Sequence, residues 1–256
     1  PQAPKRLALV VDRSGSMSGQ PLAEALRCVE HIASHLAPQD QLAVLAYDTQ
    51  VTTLQTLGPV NLPELKATLA TVQEGGSTDL FLGWQAGAQA LADGPANAIS
   101  RVMLLSDGCA NHGLTHADDI VPHVTRAASQ GIATTTVGLG RGFNEDLMNA
   151  MARAGRGQQY FGQTATDLHD SFDEELQLLQ ALCLCRLGLT LVAADGVIIE
   201  PLGVVDRAAD GSIQLPDLPW SAQAWVALRL HISPSAPGQA SSTPRTLLAA
   251  SLAQRG

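Results

Sequence analysis

The sequence predicts an α/β fold with a doubly wound, mostly parallel six-stranded sheet that helices flank. Short apolar runs such as Leu7–Val11 show no polar alternation, as expected of parallel strands that are covered on both faces. Amphipathic stretches with helical spacing separate these runs along the chain. Strands and helices that alternate in this order form doubly wound, Rossmann-like sheets.

Local signals set the boundaries of these elements. Pro21 fits the first turn of a helix that ends before Pro38, the pair Gly75-Gly76 ends the second helix, and Asn144 is a helix cap. The run 51–57 alternates enough to be an edge strand. Strands are expected at residues 7–11, 42–47, 51–57, 102–106, 132–137 and 157–161. Helices are expected at residues 21–37, 63–72, 80–92, 116–130, 144–154 and 167–181.

The pattern changes at Leu187, where apolar residues begin to alternate with small or polar ones. Asp195-Gly196 and Asp210-Gly211 are typical of hairpin turns, and the segment 225–232 alternates again. Four or five strands and no helix are therefore expected. We predict a first domain over residues 1–181 and a second, β-rich region over residues 187–256 that is a β-sandwich or part of one.

A cluster of oxygen donors directly follows the first strand. Asp12, Ser14 and Ser16 stand on a tight turn, which delivers a carboxylate and two hydroxyls to one place. Hard divalent cations such as Mg²⁺ bind about six oxygen ligands and retain waters, whereas Zn²⁺ prefers Cys and His. Since this turn cannot supply six ligands, other oxygen donors are expected nearby.

Two later segments supply such donors. Thr78 follows Gly75-Gly76 and precedes the third helix, and Asp107 ends the strand 102–106. In open α/β sheets, ligands bind outside the carboxyl ends of the strands, where the strand order reverses. The N-terminus of the helix 80–92 is expected to point into this site, where its dipole favours an anion.

These three motifs, in this order over residues 5–181, resemble the von Willebrand factor A (VWA) domain and its metal-ion-dependent adhesion site. The resemblance implies that the hydroxyls of Ser14, Ser16 and Thr78 bind Mg²⁺ or Mn²⁺. It implies that Asp12 and Asp107 act largely through bound waters. Ser77 beside Thr78 is an alternative alignment. The segment 215–220 and the rest of the tail are similar to the β-rich region that follows the VWA domain in many bacterial proteins.

The resemblance also implies binding rather than catalysis. A first shell of mostly neutral ligands leaves the ion electrophilic, so that it captures an Asp or Glu carboxylate of a protein partner. Loops that bear Arg13, Met17 and residues 109–112 are expected to add contacts. One alternative is a VWA subunit of an enzyme complex that works with an AAA+ ATPase. Another is a vestigial site on a surface that is used without metal.

Composition narrows the range of partners and compartments. The net charge of −9 argues against a nucleic-acid partner, because no basic stripe offsets phosphate repulsion. The sequence shows no signal-peptide pattern and no apolar run of membrane-spanning length, so a soluble, cytoplasmic protein is expected. Its four cysteines show no disulfide-framework spacing, and Cys183 and Cys185 would face opposite sides of a strand.

Three other patterns are weaker. Cys28, His31 and His35 have a spacing that could place soft zinc ligands along one helix face. The segment 138–142 is similar to a nucleotide-binding loop, but Phe143 stands where a third glycine is required. Ser14 and Ser16 lie on a strand-to-helix turn, although no Gly-x-Ser-x-Gly motif is present. We interpret Cys28 as a buried core residue and the segment 138–142 as a tight connection between a strand and a helix. We interpret the hydroxyls of Ser14 and Ser16 as metal ligands rather than nucleophiles.

Overall fold

The structure is a computed structural model that describes residues 3–95, 98–107, 109–139, 143–184, 187–203, 205, 207, 210–215, 217–219, 222–233 and 246–254. The chain divides into two compact units, Pro1–Gln180 and Ala181–Gly256. No helix among these described residues is long and apolar enough to cross a membrane.

The first unit contains a six-stranded sheet with the strand order β3-β2-β1-β4-β5-β6. All neighbours are parallel except β2 and β3, which are antiparallel. The strands are β1 (Lys5–Asp12), β2 (Gln41–Tyr47), β3 (Val51–Gly58), β4 (Ile99–Ser106), β5 (Ile132–Leu139) and β6 (Arg156–Gly162). The order reverses between β1 and β4, the central pair. This confirms the predicted doubly wound sheet, including the edge position of β3.

Six helices cover the two faces of this sheet. They are α1 (Gln20–Ser34), α2 (Leu62–Leu69), α3 (Leu80–Ala90), α4 (Ala117–Ser129), α5 (Glu145–Ala154) and α6 (Ala165–Ala181). Side chains of β5 show how the faces are divided. Thr134 accepts a hydrogen bond from Trp84 of α3, whereas the next residue, Thr135, donates to Glu175 of α6. Successive strand residues point to opposite faces, so α3 and α6 lie on opposite sides of the sheet.

Helix α6 packs on the sheet through an apolar stripe and one buried carboxylate. Leu168, Phe172, Leu176 and Leu179 recur at helical spacing and are buried. Between them, Glu175 forms an ion pair with Arg101 of β4 and accepts hydrogen bonds from Thr135 and from Tyr160 of β6. This helix is thereby tied to three neighbouring strands.

The second unit consists of short strands in three small sheets. The strands are β7 (Leu182–Leu184), β8 (Leu187–Ala193), β9 (Val197–Pro201), β10 (Ile213–Gln214), β11 (Leu218–Pro219), β12 (Leu228–Ile232) and β13 (Leu248–Gln254). Strand β8 lies between β10 and β13, β7 pairs with β11, and β9 pairs with β12. The extra C-terminal strands therefore match the predicted β-rich region, while its sandwich arrangement stays a prediction.

The turn at Asp195-Gly196 differs from expectation. Gly196 has a φ of +77°, as such a turn requires, but the turn joins β8 and β9, which belong to different sheets. Strand β8 pairs instead with β13 over its whole length, from Leu187 opposite Gln254 to Ala193 opposite Leu248. The predicted hairpin at this turn is wrong, because a long-range strand takes the place of the local partner.

Candidate metal centre

The three central strands end at the same edge of the first unit's sheet. Asp12, the last residue of β1, lies opposite Tyr47 of β2, and Val11 lies opposite Leu105 of β4. The last residue of β4 is Ser106. Parallel strands in register therefore bring a carboxylate, a phenol and a hydroxyl together where the strand order reverses.

Asp12 is fully buried and accepts three hydrogen bonds. Its Oδ1 accepts from the backbone N–H of Ser14 at 2.8 Å. Its Oδ2 accepts from Ser106 Oγ at 2.6 Å and from the Tyr47 hydroxyl at 3.2 Å. Burial raises the pKa of Asp12 and the charge of Asp107 adds to this, while the bonds from Ser106 and Ser14 oppose it. The carboxylate is thus rigidly held in a place that disfavours its charge.

The turn after β1 presents two hydroxyls side by side. Ser14 Oγ and Ser16 Oγ lie 3.2 Å apart, with Ser14 buried and Ser16 exposed. The turn is clamped to the loop before α3, since Gly15 N–H donates to the carbonyl of Gly76 at 2.9 Å. This contact places the Thr78 loop against the serine turn.

Thr78 has a buried hydroxyl whose hydrogen-bonding capacity is not used by the described residues. Its Oγ1 is buried and has no hydrogen-bond partner among the residues that the structure describes. The backbone around it is held on both sides: Thr78 N–H donates to Asn111 Oδ1 at 2.8 Å, and its carbonyl accepts from the N–H groups of Asn111 and His112. A buried hydroxyl without a partner is unfavourable, so this one is suited to bind an added group.

Asp107 stands just beyond β4 and is half-buried. Its Oδ1 accepts from the N–H of Cys109 at 3.0 Å, and its carbonyl accepts from the N–H of Asn144, the cap of α5. Burial raises the pKa of Asp12, and the nearby charge of Asp107 adds to that rise. The two carboxylates therefore belong to the same site.

The described part of the site contains two carboxylates and no cation paired with them. Among the described residues, neither Asp12 nor Asp107 forms an ion pair, and Arg13 between the strand and the turn binds Asp48 at 3.1 Å instead. The glycine at position 75 leaves room for Asp48 in this ion pair, because a Cβ at that position would lie 1.9 Å from Asp48 Oδ2. Two carboxylates, two adjacent hydroxyls and one unpaired hydroxyl form an all-oxygen donor set that fits a hard divalent cation.

The structure bears on two expectations about the surroundings. Met17 is fully buried and belongs to the core, so contacts of its loop with a partner would have to come from other residues. The N-terminus of α3 does not stand free for an incoming anion, because Asp79 Oδ1 accepts the N–H of Leu82. Asp79 Oδ2 also lies 3.1 Å from His112 Nδ1. The helix end is therefore already capped by a carboxylate of the chain itself.

Sequence reasoning missed three positioning residues. Tyr47 and Ser106 hold Asp12, and Asn111 holds the backbone of Thr78. A signal existed for the first two, because each ends a strand that neighbours β1. Asn111 lies in a loop, and only its contact with Thr78 reveals its role.

The weaker patterns have different outcomes. Cys28 is fully buried, and burial raises its pKa to about 12. Among the described residues, His31 and His35 are grouped with Asp173 and not with Cys28. The possible nucleotide loop lies largely outside the described residues. Within its described part, a Cβ at Gly138 would lie 2.6 Å from the ring of Phe143. Cys185 is also outside the described residues.

Comparison with known proteins places the chain in a family. A model described as the von Willebrand factor type A domain matches residues 7–174, more than half of the chain. The chain belongs to this family. The match covers the five predicted metal residues, β1 from Leu7 onward and the other five strands of the sheet. The VWA resemblance of the sequence is thereby confirmed, whereas its extension to the C-terminal β-rich region is not.

Curated relatives are distant and longer. An uncharacterized protein of Synechocystis sp. is 26% identical over 250 residues, which cover 92% of this chain. Inter-alpha-trypsin inhibitor heavy chain H3 of Mesocricetus auratus is 27% identical over 188 residues, or 70% of this chain. The chain spans 59% of the length of the first relative and 20% of the second.

Solved structures share the fold. A von Willebrand factor type A protein from Catenulispora acidiphila has a TM-score of 0.71 at 15% identity, covering 99% of this chain and 63% of its own. Proximal thread matrix protein 1 from the mussel byssus, described with a zinc-occupied MIDAS motif, has a TM-score of 0.56 at 15% identity. That match covers 75% of this chain and 49% of the mussel protein.

Proposed function

We propose that this chain is a non-catalytic, metal-dependent protein-binding module. Mg²⁺ or Mn²⁺ bound by Asp12, Ser14, Ser16, Thr78 and Asp107 would capture an Asp or Glu side chain of a partner protein. The observation that carries the proposal is the buried Thr78 hydroxyl, which lacks a partner among the described residues in a site whose carboxylates have no cation. A divalent cation would satisfy both deficits.

The type of donor favours binding of an outside anion. Three of the five residues offer neutral hydroxyls, so the bound ion would retain much of its positive charge as a Lewis acid. The chain's other anionic and cationic groups near the site are already engaged: Asp79 caps α3 and Arg13 pairs with Asp48. An acidic side chain from a second protein is therefore the natural remaining ligand. The mussel protein, described with a zinc-occupied MIDAS motif, supports the metal-binding part of the proposal.

Residues around the site keep its donors in place. Tyr47 and Ser106 donate to the same oxygen of Asp12, which fixes the orientation of that carboxylate. Asn111 accepts from Thr78 N–H, which holds the loop before α3. The exposed part of the segment 109–112 lies beside the donors, where a partner would contact it. Such support keeps the site preorganised before binding.

Thr78→Val tests the proposal, because it removes the unpaired hydroxyl and keeps the shape of the side chain. We expect Mg²⁺ affinity, measured by calorimetry on EDTA-treated protein, to fall by at least about tenfold. The free energy of unfolding in EDTA should stay unchanged or rise, since the lost hydroxyl had no partner to lose. The matched control is Thr125→Val on the exposed face of α4, whose hydroxyl bonds only within its helix.

A second arm tests capture of a carboxylate. Acetate, and then a Glu-containing peptide, should bind to the Mg²⁺-loaded wild-type chain and not to the EDTA-treated chain or to Thr78→Val. Equal Mg²⁺ binding by wild type and Thr78→Val would refute the assigned metal site. Metal binding without any gain in affinity for acetate or peptide would refute carboxylate capture while leaving the metal site intact.

A further inference from the structure

Two histidines and an aspartate of α1 and α6 lie close together, and none of them belongs to the proposed VWA metal site. His31 lies in the last turn of α1, His35 caps the end of that helix, and Asp173 lies on α6. His31 Nε2 is 2.7 Å from Asp173 Oδ1, and the centroids of the two imidazole rings are 4.4 Å apart. Each residue offers one ligand atom such that these three atoms lie within 4.8 Å of one another.

A hydrogen bond to the backbone determines which ring nitrogen of His35 carries the proton. Its Nδ1 lies 2.8 Å from the carbonyl oxygen of His31. A carbonyl oxygen only accepts hydrogen bonds, so Nδ1 carries the proton and the lone pair of a neutral ring is on Nε2. Metal-bound histidines commonly donate their other ring N–H to a backbone carbonyl in this way. His35 is therefore oriented as a ligand although it is exposed.

The donor set differs from that of the VWA site. Two imidazoles and one carboxylate suit Zn²⁺ and similar transition metals, whereas Mg²⁺ prefers oxygen ligands alone. Ligands of one Zn²⁺ ion lie at most about 4 Å apart, because each bond is about 2 Å long. The three atoms lie within 4.8 Å of one another, so the exposed His35 ring would have to move closer to the other two ligands, and water would complete the coordination.

We propose that His31, His35 and Asp173 form a second metal site, of the Zn²⁺ type, that clamps α6 to α1. The clamp would act two residues along α6 from Glu175, which ties the same helix to β4, β5 and β6. Metal binding at this site is expected to stabilise the first unit by fixing its C-terminal helix. The site is independent of the proposed partner binding, since it shares no residue with it.

The test is calorimetric titration of Zn²⁺ into the full chain in excess Mg²⁺, which occupies the oxygen-rich site. We expect one Zn²⁺ per chain, and binding at least about tenfold weaker in His35→Gln and in Asp173→Asn. His35→Gln changes an exposed side chain at a helix end, so this variant should fold normally. Asp12→Asn is the matched control: it should retain Zn²⁺ binding and lose Mg²⁺ binding.

Spectroscopy identifies the ligands directly. With Cu²⁺ as a probe, electron paramagnetic resonance should show two coupled imidazole nitrogens in wild type and one in His35→Gln. Thermal unfolding should show a rise in Tm with Zn²⁺ that His35→Gln lacks. Zn²⁺ binding that is unchanged in His35→Gln, or that disappears in Asp12→Asn, would overturn the proposal, because the ion would then occupy another site.

Discussion

Two fully buried carboxylates in the first unit have opposite electrostatic surroundings. Glu175 of α6 pairs with the buried Arg101 and also accepts hydrogen bonds from Thr135 and Tyr160. Asp12 accepts three hydrogen bonds as well, but the described residues offer it no cationic partner. Hydrogen bonding is thus similar at the two sites, and the difference is the counter-charge.

That difference distinguishes a carboxylate that stabilises the fold from one that is available to bind a cation. Burial of a charged group costs free energy unless an opposite charge compensates it. Removal of one member of a buried ion pair therefore leaves the other member buried without compensation. At Glu175 the chain supplies the partner, so the charge serves to fix α6. At Asp12 the described residues supply hydrogen bonds and no cation, which is the arrangement that the proposed metal site requires.

The largest effect is expected for Glu175→Gln. It leaves the guanidinium of Arg101 buried without a counter-ion, which should lower the free energy of unfolding by about 3–5 kcal/mol. Denaturant unfolding with and without Mg²⁺ measures it, and Mg²⁺ should not restore the loss. The control is Glu174→Gln on the exposed side of α6, with an expected change within about 0.5 kcal/mol. A similar small change in both variants would remove the contrast between the two carboxylates.

Asp12→Asn should behave in the opposite way. Burial raises the pKa of Asp12, so at neutral pH its ionised form costs stability when no cation is bound. In EDTA the variant should therefore unfold within about 1 kcal/mol of wild type. Wild type should gain about 2.7 kcal/mol at a Mg²⁺ concentration of 100 times Kd, and the variant should gain nothing. A large loss in EDTA would mean that Asp12 is a structural charge like Glu175.

Gly75→Ala gives a smaller effect that tests how Arg13 is kept away from Asp12. The new Cβ would collide with Asp48, the ion-pair partner of Arg13. We expect Mg²⁺ affinity to fall by about tenfold, or roughly 1.4 kcal/mol, as Arg13 becomes free to compete with the metal. Gly76→Ala is the control, because nothing lies within 4 Å of a Cβ there. Equal Mg²⁺ affinities of the two variants would show that the Arg13–Asp48 pair does not shape the site.

Much of the first unit could be predicted because its signals are local. The apolar runs and caps located all six strands and six helices, with bounds that differ from the observed ones by a few residues; Asn144, for example, accepts from Leu147 N–H as a cap should. The residues Asp12, Ser14, Ser16, Thr78 and Asp107 were visible because they lie at the end of a strand, on the turn after it, or just before a helix. The assignment of these five as metal ligands stays a prediction.

What the sequence by itself determined is the order of elements and the chemistry that each strand end carries, since both depend on neighbouring residues. The tertiary structure alone decided which distant residues meet. It placed Tyr47 and Ser106 on Asp12, brought Asp173 to His31 across 142 positions, and joined β8 to β13 rather than to β9. Such pairings depend on strand register and helix packing, which arise from burial over the whole domain and leave no pattern in any short stretch of sequence.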